Sequence, residues 1–137
     1  MGSIILRQVE HHMLVASDSR GASIVIGLSQ DPEFPGLGAK ASDLLLMAVA
    51  SCSAYDVIEI LAKQRQEYRD FKVVCTGDQL SEPPYTFTSI HLHFSLRGKI
   101  VPEKLENAIQ LSVHKYCSVV NTIRPDTPVT HDFEILP

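Results

Sequence analysis

Cys52, Cys75 and Cys117 are the side chains of this 137-residue sequence best suited to chemistry. An odd number of cysteines without local pairing motifs suits a reducing compartment, where thiols stay free or catalytic rather than structural. A cysteine nucleophile reacts as its thiolate and needs a nearby cation or hydrogen-bond donors to hold that charge. Taken singly, a cysteine in an apolar helix is more often an inert packing residue. Cys75 shares one strand face with Phe71 and Val73, alternating with Lys72, Val74 and Thr76, and reads as core. His91 and His93 project from one strand face and could share a metal, but no third and fourth ligand is recognisable. With Ser95 and Arg97 they read as a solvated or dimer-facing polar strip, while His114 and His131 stand alone. Asp56 and Glu59 follow Cys52 by one and two turns. A carboxylate beside a thiol disfavours the thiolate, so both are expected to serve the helix surface or to pair with Arg65 or Lys63. No metal or cofactor is expected.

These residues need elements to position them. Two apolar runs, Met13 to Ala16 and Ser23 to Leu28, flank the polar Ser17-Asp18-Ser19-Arg20-Gly21 and predict an N-terminal hairpin. Gln30 to Lys40 holds Pro32, Pro35, Gly36 and Gly38 and reads as a loop. Ser42 can cap a helix running to about Gln66, with Asp43 in its first turn. The first half of that helix, including Leu44, Leu45, Leu46, Met47 and Val49, is apolar on every side, so it should be surrounded by protein and needs a second subunit to cover it. The second half is amphipathic, with Val57, Ile58 and Leu61 on one side.

Phe71 to Thr76 alternates as a strand, Pro83-Pro84 turns the chain, and Thr88 to Arg97 follows strict period two. Pro102 opens a second helix continuing toward Val120, with Leu105, Ala108, Ile109, Val113, Tyr116 and Val120 as its stripe. Val129 to Leu136 forms a final strand. Two or three strands, helix, hairpin, helix and strand make one α+β domain over residues 1–137 with largely antiparallel sheets.

Composition narrows the function. A content of 45% hydrophobic and 20% charged residues suits one globular domain with a substantial core. A net charge of -4 without a basic run offers no footprint for nucleic acid. The first ten residues lack the apolar stretch of a secretory signal. The longest apolar run, Leu44 to Ala50, falls short of the ~20 residues of a membrane span. A soluble, cytoplasmic protein is expected.

Two segments carry a resemblance. Residues 41–57, ASDLLLMAVASCSAYDV, resemble the first cysteine helix of the OsmC/Ohr family, and His114-Lys115-Tyr116-Cys117-Ser118-Val119 is similar to its second cysteine motif, closest to the YhfA-like branch. The two cysteines stand 65 positions apart, in the family's order of helices. The resemblance covers about residues 35 to 135. It implies an intertwined homodimer in which antiparallel sheets wrap central helices, and a thiol peroxidase acting on organic hydroperoxides. The thiol matching Cys52 becomes a sulfenic acid, the one matching Cys117 resolves it, and a dithiol reductant of lipoyl type restores the pair. In the Ohr branch an arginine of the N-terminal hairpin and a glutamate near the helix start activate the thiol. Arg20 is the counterpart of that arginine. Ser42 stands where the glutamate would be, and the acidic residue of the YhfA-like pattern falls on Asp43, which nine helical residues turn about 180° from Cys52. The alternative is a non-catalytic stress-response protein that uses the dimer pocket for an apolar ligand.

Overall fold

The computed structural model describes residues 2–29, 31–33 and 36–137, and its backbone divides into two units, Met1–Leu45 and Leu46–Pro137. In the first, three antiparallel strands follow in chain order: β1 (Ile4–Glu10), β2 (Met13–Asp18) and β3 (Ser23–Ile26). The predicted hairpin is β2–β3, paired as Val15↔Val25 and Ser17↔Ser23, and β1 adds a third strand to it. The Asp18 carboxylate shapes its turn by accepting from the N–H groups of Arg20 at 2.8 Å and Ala22 at 3.0 Å. After β3 the chain turns at Gly27, where φ is +146° and a Cβ would fall 2.3 Å from the carbonyl oxygen of His12. Of the predicted loop, Gln30 and Pro35 lie outside the described residues, as does Phe34.

Helix α1 spans Ala41–Lys63. Its first bond runs from the Leu44 N–H to the Lys40 carbonyl, so Ser42 lies inside the first turn instead of capping it. The helix stops three residues before Gln66 because Arg65 takes a left-handed conformation, φ 56°, while the Gln66 N–H reaches back to the Leu61 carbonyl at 3.0 Å. By length and composition α1 could cross a membrane. Its stripe Val49, Ser53, Val57 and Leu61 is instead buried in the protein core.

The second unit is built on the sheet β4 (Arg69–Gln79), β5 (Phe87–Arg97) and β6 (Val129–Leu136), ordered β4-β5-β6. The central strand buries Ile90, Leu92, Phe94 and Leu96 and turns His91 and His93 to the other face, as its alternation predicts. β4 is antiparallel to β5, but β6 runs parallel to it, with Ile90↔Val129 through Arg97↔Leu136, so the sheet is mixed rather than purely antiparallel. A parallel return needs a crossover. Residues 98–128 supply it, with α2 (Pro102–Leu111), a π-helical turn (Ser112–Tyr116) and α3 (Ser118–Ile123). The second predicted helix is therefore three pieces, and Tyr116, expected on its stripe, is 54% exposed. Leu105, Ala108, Ile109, Val113 and Val120 are buried as predicted.

Candidate active site

On α1, Cys52 and Asp56 are one turn apart and Ser53 falls on the buried stripe. The second thiol is placed by the break in the crossover. The π turn closes with the Cys117 N–H on the Ser112 carbonyl at 2.8 Å, one residue wider than an α-helical bond. Cys117 then leaves helical geometry, with φ -71° and ψ 106°, and caps α3 by accepting the Val120 N–H on Sγ at 3.4 Å. The Asn121 amide holds the break by donating to the carbonyls of Cys117 at 2.8 Å and Val113 at 3.2 Å.

The break brings distant residues together. Cys52 Sγ, Cys117 Sγ and an Asp56 carboxylate oxygen all lie within 4.8 Å of one another. Cys117 is fully buried, while Cys52 and Asp56 are half-buried. The Ser53 hydroxyl approaches Cys117 Sγ at 3.7 Å, and buried Ser112 donates to Asp56 Oδ2 at 3.0 Å and to the Ser53 carbonyl at 3.3 Å. Burial, and after it the adjoining Cys52, push the Cys117 thiol up, against the lowering pull of the Val120 N–H and Ser53. Cys117 is thus held as a protonated thiol near neutral pH. Both cysteines are free, and the pair can exist as dithiol or, after a small closure, as disulfide. A cleft of about 650 Å³, walled in part by Tyr55, Ile60, Leu111 and Tyr116, reaches Asp56.

The other candidates have local partners or positions of their own. Arg20 lies in the β2–β3 turn of the N-terminal unit, where its guanidinium, 85% exposed, pairs with Asp18 at 3.1 Å. Asp43 is exposed in the first turn of α1. Cys75 packs at the edge of the core, and burial raises its thiol. His91 and His93 form a polar strip, meeting Asp132 at 2.7 and 2.8 Å, and His93 also meets Glu134 at 3.3 Å. His131 and His114 do not stand alone: His131 pairs with Glu106 at 3.1 Å, and His114 bonds Arg124. Asp56 is the residue that sequence reasoning missed. It takes no ion pair with Arg65 or Lys63 among the described residues and instead faces both thiols, held by Ser112. The i, i+4 spacing to Cys52 was the available signal, but its partner Ser112 is 56 positions away.

Residues 34–132 match the OsmC-like protein family. Over 95 residues the chain is 38% identical to Protein YhfA of Escherichia coli strain K12, covering 69% of this chain and 71% of that protein. Among solved structures, a hypothetical protein from Aquifex aeolicus VF5 superposes with a TM-score of 0.82 at 28% identity, covering 100% of this chain and 98% of the other. The organic hydroperoxide resistance protein OhrB of Bacillus subtilis superposes with a TM-score of 0.65 at 13% identity, over 98% of each chain.

Proposed function

This chain belongs to the OsmC-like family, and from that membership we propose that it is a cysteine-based thiol peroxidase reducing organic hydroperoxides. One observation carries the reading: thiols 65 positions apart in sequence have their sulfur atoms within 4.8 Å. The Cys52 thiolate attacks the terminal peroxide oxygen, the O–O bond breaks, and the alkoxide leaves with a proton as the alcohol. The Cys117 thiol then attacks the Cys52 sulfenic acid, forming the disulfide and releasing water. A dithiol, of lipoyl type, takes up the disulfide by exchange and leaves as its own disulfide. A buried Cys117 with a raised thiol leaves the first step to Cys52, since it does not compete for peroxide as a thiolate, and it gives up its proton as it attacks the sulfenic acid. By the resemblance, Arg20 is assigned the role of the thiolate-stabilising cation, and the working form is a homodimer.

The test is oxidation with one equivalent of cumene hydroperoxide followed by peptide mapping. Wild type should yield a Cys52–Cys117 disulfide, Cys117→Ser should stop at a trappable sulfenic acid on Cys52, and Cys75→Ser should behave as wild type. A bridge to Cys75, or an unoxidised Cys52, refutes the mechanism. The cleft walled in part by Tyr55, Ile60, Leu111 and Tyr116 favours a second reading, a non-catalytic protein that binds an apolar ligand. Stopped-flow measurement with a dihydrolipoyl donor separates the two, as only the peroxidase consumes hydroperoxide over many turnovers.

A further inference from the structure

No metal is expected from the sequence, yet the fold brings the Asp56 carboxylate to the Cys52–Cys117 pair. Two thiols and a carboxylate within 4.8 Å of one another form an anionic, partly soft donor set. With bonds of ~2.3 Å to sulfur and ~2.1 Å to oxygen, a tetrahedral zinc-class ion needs its sulfur ligands about 3.8 Å apart and its oxygen about 3.6 Å from them. The resting spacing meets this with only a small contraction. The surroundings resemble those that orient ligands in metal sites. Ser112 bonds Asp56 Oδ2 at 3.0 Å, which fixes the carboxylate and leaves its other oxygen for an ion. The Val120 N–H at 3.4 Å and the Ser53 hydroxyl at 3.7 Å both aim at Cys117 Sγ, where they would support a thiolate. Three protein ligands leave a fourth position for water.

We propose that the reduced protein binds one zinc-class divalent cation per chain through Cys52 Sγ, Cys117 Sγ and Asp56. Binding replaces each S–H bond with a sulfur–metal bond, releases the thiol protons to solvent and transfers no electrons. The ion occupies the sulfur that peroxide would need. Where the peroxidase reading above holds, metal therefore acts as a reversible inhibitor that also guards the pair against oxidation, but binding itself does not rest on turnover.

The test titrates the reduced full chain, without oxygen, with Cd²⁺ alone, following sulfur-to-cadmium charge-transfer absorption, and then with Zn²⁺ against a chromophoric chelator. Saturation is expected at one ion per chain. The absorption should vanish in Cys52→Ser and Cys117→Ser and persist in Cys75→Ser, and Asp56→Asn, its fold checked by circular dichroism, should bind about tenfold more weakly or worse. In wild type, Zn²⁺ should shield Cys52 and Cys117 from alkylation and leave Cys75 unshielded, a readout that survives if a variant fails to fold. Absence of the absorption, dependence on Cys75, wild-type affinity in Asp56→Asn or unshielded thiols would each overturn the assignment. The hydroperoxide experiment answers separately: a chain that binds Cd²⁺ but forms no disulfide keeps this inference and loses the peroxidase.

Discussion

Oxidation of the Cys52–Cys117 pair should stabilise the protein measurably, and the size follows from where the two residues sit. A bridge between positions 52 and 117 closes most of the second unit into one loop, and tying a loop of ~66 residues in the unfolded chain is worth about 4 kcal/mol. Two costs oppose this. Sulfurs that rest within 4.8 Å must close to ~2.05 Å, and Cys117 loses the Val120 and Ser53 contacts, each worth ~0.5–1.5 kcal/mol. The net gain should be about 2–3 kcal/mol. With a urea dependence of ~1–3 kcal/mol per molar, the midpoint should rise by about 1–2 M. The assay compares urea unfolding of reduced and oxidised Cys75→Ser protein at one protein concentration, with the bridge verified by peptide mapping. An oxidised form no more stable than the reduced one would refute the reasoning, because it would mean that the bridge strains the native packing by as much as it restrains the unfolded chain. A stabilisation of about 3 kcal/mol also lowers the reduction potential by about 60 mV, which favours a dithiol over a monothiol as reductant.

Other consequences are as direct. Arg20→Ala should slow alkylation of Cys52 several-fold near neutral pH, and an unchanged pH–rate curve would remove Arg20 from the mechanism. Met47, Tyr55 and Ile58 lie exposed along one side of α1, so sedimentation should find a dimer at micromolar concentration, with Met47→Glu and Ile58→Glu shifting it to monomer. A stable wild-type monomer defeats this expectation. On the outer face of the sheet, Asp132, then Glu134, raises His93 above its ordinary 6.5, while His93, then His91, lowers Asp132 below 3.8. The contribution of this exposed strip is complete between pH 3.8 and 6.5; it fades as rising pH passes the raised value of His93 and as falling pH passes the lowered value of Asp132. The thermal midpoint of wild type minus that of Asp132→Asn should accordingly be largest near pH 5 and shrink by pH 8 and in high salt. A difference independent of pH would show that the strip is held by packing alone.

Much of the architecture was legible residue by residue. Alternation from Ile90 to Arg97 reports a strand with one buried face, and the bounds Val129 and Leu136 of β6 were readable because proline and threonine punctuate the chain before them. Such patterns are local: they record which side of an element meets the core. They do not record the direction in which strands pair, so the parallel return of β6 beside β5 became visible only with the crossover in place. The helical pattern from Pro102 toward Val120 likewise hid its own interruption, since Leu105, Ile109, Val113 and Val120 keep an apolar spacing through the π turn and the extended Cys117. Both cysteines and their order were evident in the sequence, and the resemblance they carry identified the family. What tertiary structure alone decided is the company they keep. Asp56 looked like a surface carboxylate because its nearest charges in sequence are Lys63 and Arg65; it became part of the site because the crossover delivers Ser112 and Cys117 to the same turn of α1, 56 and 61 positions away. A hydrogen bond across that separation depends on how the chain folds back, and no pattern of neighbouring residues encodes it.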